Sequence, residues 1–150
     1  MGASSTTPGK SGNQHLNSAT AAIQYALFQP GLVCIDYGQY TDLVGCLGAV
    51  VACGFGRSEG PDDISGGLDQ AYEAWRGDRS GLDMLPALTM LIVGDSLESG
   101  TPVRELERGV SRFEAGISYE TGDSTLLAMP ILPTGATEVA MISMHPAGAE

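Results

Sequence analysis

The sequence predicts an α/β (α+β) fold: one domain built on a four-stranded, mostly parallel sheet with helices packed on it. Three observations predict it. Two apolar runs, 47–55 (LGAVVACGF) and 87–93 (ALTMLIV), lack apolar–polar alternation and so read as strands buried on both faces. Each is followed by a segment with apolar residues at helical spacing, and strands alternating with helices imply crossovers between parallel strands. Two closing runs, 126–132 and 138–144, flank Pro133-Thr134-Gly135, which predicts a hairpin and one antiparallel pairing.

The elements follow in order. Residues 1–16, rich in Ser, Thr, Gly and Asn, read as a flexible tail before a single domain at 17–146, with 147–150 as a second tail. Asn17 or Ser18 can cap a helix through residue 28 that places Ala19, Ile23 and Ala26 or Leu27 on one face. Pro30-Gly31 ends it. Leu32, Val33 and Ile35 form a short extended piece leading to Asp36 and a turn at Tyr37-Gly38, with a second short helix at 40–44. After the first buried strand, Pro61, Asp62 and Asp63 open a helix carrying Ile64, Leu68, Ala71 and Trp75; its aspartates suit the positive end of the dipole. Residues 77–82 are a loop, and the second buried strand stops at Gly94-Asp95. Thr101-Pro102 starts the clearest helix, with Val103, Leu106, Val110 and Phe113 on one face and Arg104, Glu105, Glu107, Arg108 and Arg112 on the other.

Composition narrows the function. Of 150 residues, 43% are apolar and 17% charged, a globular profile, and 7 basic against 18 acidic residues give a net charge of −11. Such a surface repels phosphate backbones and anionic lipid, so neither nucleic acid nor a membrane is an expected partner. Cys34, Cys46 and Cys53 are odd in number and lie among apolar residues, which predicts buried thiols in a reducing compartment. With no signal segment and no apolar run of membrane length, the expected location is the cytoplasm. Gly9-Lys10-Ser11 ends like a phosphate-binding loop, but Ser4 stands where that loop needs its first glycine. His15 and His145 sit at opposite ends, and the cysteines lack paired spacing, so no metal, cofactor or catalytic residue is expected. The methionines read as packing residues.

The stretch LFQPGLVCIDYGQYTDLVGCLGAVVACGFGRSEGPDD resembles the FtsZ/tubulin superfamily, in its carboxy-terminal, second domain. In FtsZ a long central helix ends at Pro-Gly-Leu; a loop reading roughly Gly-Leu-Ile-Asn-Val-Asp-Phe-Ala-Asp-Val, a strand and a Gly-x-Gly-x-x-x-Gly turn follow. Here the loop is residues 31–40 and the turn holds Gly54, Gly56 and Gly60. ALTMLIVGDS, TPVRELERGVSRF and LLAMPILPTGATEVAMISM are similar to the family's later strand, helix and closing strands. The sequence carries no GGGTGTG-like loop, so the resemblance implies a domain without GTPase activity of its own.

In that family the loop after the central helix enters the nucleotide pocket of the next subunit, where its acidic residues orient the attacking water. The resemblance places the family's Asn on Cys34, its first Asp on Asp36 and its second on Gln39, with Tyr37 between them. One carboxylate survives, which implies a partner-contact loop of weak activating power. Asp36 also fits a turn residue capping the next helix, and the glycines fit either an anion cradle or a tight strand-to-helix turn. The implied function is to bind an FtsZ-type cytoskeletal GTPase and modulate or cap its polymer in cell division. Alternatives are the second half of a split protein, completed by a separately encoded GTP-binding domain, and a small ligand-binding or enzymatic homo-oligomer. The split reading predicts an exposed apolar stripe along Ile23 and Leu27.

Overall fold

The computed structural model describes residues 15–29, 31–33, 50–60, 63–78, 88–96, 100–121, 125–133 and 135–144. In chain order these form α1 (Ala19–Phe28), β1 (Gly31–Val33), β2 (Val50–Arg57), α2 (Ile64–Asp78), β3 (Leu88–Ser96), α3 (Val103–Thr121), β4 (Thr125–Leu132) and β5 (Glu138–Met144). Local chemistry sets the helix starts. Ser18 is extended, and its hydroxyl accepts the Ala21 N–H at 3.1 Å. Ahead of α2, the Asp63 carboxylate accepts the Glu59 N–H at 2.8 Å, closing the turn that feeds the helix. The Pro102 carbonyl accepts from Glu105 and Leu106, starting α3.

The α/β class is as expected, and the sheet is mixed: its order is β1-β4-β3-β5-β2. Among the described strands only β3·β4 is a parallel ladder; β1·β4, β3·β5 and β5·β2 are antiparallel. Both helical crossovers, β2 to β3 and β3 to β4, do join strands that point the same way. The expected mostly parallel sheet gives way because β5 inserts between β2 and β3, antiparallel to both. The expected closing hairpin is absent for the same reason, since β3 lies between β4 and β5. The chain instead crosses the end of β3, where Thr137 donates its hydroxyl to Asp95 at 2.8 Å and the Ser96 hydroxyl donates to the Gly135 carbonyl. These contacts carry β3 through Gly94 and Asp95, past its expected stop.

The sheet separates two cores. On one face α1 lays Ala22, Ile23 and Ala26 over Met90, Ile92, Ala128, Ala140 and Ile142. On the other, Leu68, Ala71 and Trp75 of α2 and Leu106 and Val110 of α3 pack on Leu91, Val93, Met129, Val139 and Met141. Alternate residues of β3 and β5 serve opposite layers, as the period of two requires. One polar thread crosses the second core: the Trp75 indole N–H donates to Ser143 Oγ at 2.7 Å, and Ser143 bonds the Thr89 hydroxyl at 2.8 Å. Leu16, expected in the tail, is fully buried in the first core.

Candidate functional site

Cys34, Asp36, Tyr37 and Gln39 lie outside the described residues, as does the short helix expected at 40–44. The strand that leads to them is fixed: β1 pairs with β4, and a Cβ at Gly31 would run into the backbone of Met129 and Pro130.

The glycines occupy different places from those expected. Gly54 and Gly56 lie inside β2, not in a turn, and only Gly60 follows the strand. A Cβ at Gly54 would fall 2.9 Å from the Ala74 carbonyl carbon and closer still to Trp75 N and Ala71 O. One at Gly56 would meet Ala71 N at 2.8 Å and, closer, Gly67 O. Their role is to let α2 lie directly on β2. The signal was present in the sequence: Ala52, Gly54 and Gly56 alternate along a strand while Gly67 and Ala71 are four apart on a helix.

α1 is the element with the least explained surface. ATAAIQYALF contains no charged residue in a chain of net charge −11. Ile23, which the split-protein reading alone expects in an exposed stripe, is only 9% exposed, and Leu27 packs against the core. The open stripe is instead Ala21, Gln24, Tyr25, Phe28 and Gln29, which line a cavity of about 300 Å³. Phe28 is 75% exposed. A smaller groove of about 220 Å³ separates α2 from α3, lined by Ser65, Leu68, Asp69, Gly109, Arg112 and Phe113.

Beside α1 lies a buried carboxylate. Glu138 is 1% exposed and accepts the Leu16 N–H at 2.7 Å and the His15 N–H at 2.8 Å. It faces Arg57 across the β2·β5 ladder. Burial raises its pKa, opposed by the hydrogen bonds from Leu16 and His15 and by the charges of His15 and Arg57. His15 in turn meets the Tyr25 hydroxyl through Nδ1 at 3.5 Å. This group fastens the chain entering α1 to the start of β5.

Among the described residues no three His, Cys, Asp or Glu side chains converge on a metal-sized site, and no helix is long and apolar enough to cross a membrane. Arg76, Arg104, Arg108 and Arg112 are exposed, and Arg108 pairs with Glu105 at 3.2 Å.

No protein-family model matches the sequence, and no curated protein matches it. Solved structures do. The empty FtsZ dimer of M. jannaschii superposes with a TM-score of 0.62 at 12% identity, covering 84% of this chain and 35% of that one. A tryptophan-to-tyrosine variant of M. jannaschii FtsZ gives a TM-score of 0.62 at 13% identity, covering 94% of this chain and 42% of that one. The chain thus has an FtsZ-like fold, that of the carboxy-terminal domain, and spans well under half the length of the FtsZ structures it matches.

Proposed function

We propose that this FtsZ-like domain acts by protein contact: it binds an FtsZ-type GTPase and modulates or caps its polymer, with no nucleotide chemistry of its own. The observation that supports contact as its mode of action is the uncharged, open face of α1 around Phe28. An exposed aromatic beside a cavity is the kind of anchor that dominates protein interfaces. A domain that offers one association face and not its complement stops head-to-tail growth, because such a polymer needs both on every subunit. The loop with Cys34, Asp36, Tyr37 and Gln39 would supply the face toward the neighbouring subunit, with Asp36 as its one carboxylate. The test is sedimentation of an FtsZ-type GTPase with GTP while phosphate release is followed. Shortened or lost polymer at substoichiometric amounts of this protein is the expected result, weakened by Asp36→Ala. Unchanged polymer mass, turnover and co-pelleting would remove that GTPase as the partner.

The composition of α1 also favours a second reading, in which a separately encoded GTP-binding domain covers this helix permanently. Obligate interfaces are the more apolar class. Under that reading Phe28→Glu abolishes a stoichiometric complex, and the isolated chain associates non-specifically through the same face.

A further inference from the structure

Among the described residues β2 pairs on one side only, with β5, and its other side meets side chains of α2. Ser58 N–H donates to the Thr137 carbonyl at 2.9 Å, so the even-numbered residues of this strand turn their N–H groups toward β5. Alternation then turns the N–H groups of Cys53, Phe55 and Arg57 outward, away from the sheet. Two of these three reach a side chain of α2. Cys53 N–H donates to Asp78 Oδ2 at 2.8 Å, and Arg57 N–H donates to Gln70 Oε1 at 3.0 Å. Asp78 is the last residue of α2, where a carboxylate faces the negative end of the helix dipole and gains nothing from it. Its position is explained by the strand donor that it accepts.

We infer that Gln70 and Asp78 are edge guards: they occupy the outward donors of β2 and keep that strand from pairing with the β2 of a second copy. The strand needs guarding. Residues 50–56, VVACGFG, are uncharged and mostly apolar, so the strong negative charge of the chain offers little local repulsion against antiparallel self-pairing. The close approach of α2 at Gly54 and Gly56 brings both guards over the edge, which gives those glycines a consequence beyond packing.

The test has two readouts in the full chain. Amide hydrogen exchange in the parent should protect Cys53 and Arg57 more than Phe55, the outward neighbour between them. In a Gln70→Ala/Asp78→Ala variant both amides should exchange about tenfold faster, the scale expected for one lost hydrogen bond, while Ile92 and Met141 are unaffected. That variant should also self-associate with rising concentration in sedimentation velocity, beyond the parent. Gln70→Glu/Asp78→Asn, which keeps an acceptor oxygen at each site, should behave as the parent. Adding Phe55→Pro to the alanine variant removes an outward donor without breaking the β2·β5 ladder, and should reverse the association. Equal protection at 53, 55 and 57 in the parent would overturn the proposal even if the alanine variant fails to fold. So would faster exchange without association, or association that survives Phe55→Pro.

Discussion

Replacing Gly54 by alanine adds one methyl group, and its effect follows from where α2 sits. The new carbon would lie 2.9 Å from the Ala74 carbonyl carbon and nearer to Trp75 N and Ala71 O, whereas ordinary contact begins at 3.4 Å. All three atoms belong to helix backbone, so no rotamer change relieves them. The helix must retreat by about half an ångström at the loosest of these contacts and by more at the others. That motion lifts Leu68, Ala71 and Trp75, all fully buried, from the sheet. Overpacking of this kind costs about 1–3 kcal/mol, and the upper half applies because the whole helix face is carried along. For a chain of this length that is a fall in Tm of about 5–10 °C. Gly116 supplies the control. It lies inside α3 with nothing within 4 Å of an added Cβ, so Gly116→Ala should instead stabilise by about 0.5–1 kcal/mol through helix propensity. Urea denaturation followed by far-UV circular dichroism measures both. A Gly54→Ala protein within about 0.5 kcal/mol of the parent would refute the close-packing account, since surface changes are of that size.

Other expectations follow from the same contacts. Ser143→Ala removes the shared partner of the Trp75 indole and the Thr89 hydroxyl within the core and should cost about 1–3 kcal/mol, measured by urea titration alongside tryptophan emission. Glu138 has its pKa raised by burial, so its charged form is disfavoured by folding, and the stability it contributes is lost as pH rises through the folded value. The stability of the parent relative to Glu138→Gln should therefore improve as pH falls from neutral toward the ordinary value of 4.5; a pH-independent difference would contradict the shift. Phe28→Ser should leave stability within about 0.5 kcal/mol, because the ring is mostly solvated, yet weaken binding of whatever covers α1, as titration calorimetry with an FtsZ-type GTPase would show.

The sequence displays its local order well and its long-range order poorly. The Ser18 cap, the limits of β4 and β5 and the Leu106–Val110 part of the α3 face are legible because each rests on residues a few positions apart, whereas Val103, expected on that face, is 46% exposed. The place of β5 was not. All seven of its residues are buried, so no alternation distinguishes one face from the other or one neighbour from another. Nor does anything near Gly94-Asp95 announce that Thr137, 42 positions on, will hold the strand open there. Gly54 and Gly56 were misplaced because their spacing also fits the family turn; the deciding partner, α2, becomes visible only when helix and strand are laid together. At α1 the face was readable, since Ala19, Ile23, Ala26 and Leu27 share the side that turns inward, and the exposed stripe that the split-protein reading expects along Ile23 and Leu27 is not found. The contact loop at 34–39 falls outside the described residues.

The insertion of β5 between β2 and β3 bears on how the chain is made. A ribosome delivers β2, α2, β3, α3 and β4 before β5, and until residue 144 is free, β2 lacks its one partner among the described strands and β3 lacks one of its two. During that interval the backbone groups of both strands that β5 will pair lack those partners, in a chain whose sheet contacts span long separations. Completion depends on the last strand sliding into a slot already framed on either side. Any slowing of synthesis after β4 should therefore lengthen the time spent in an association-prone state, and a peptide spanning β5 supplied in trans should shorten it.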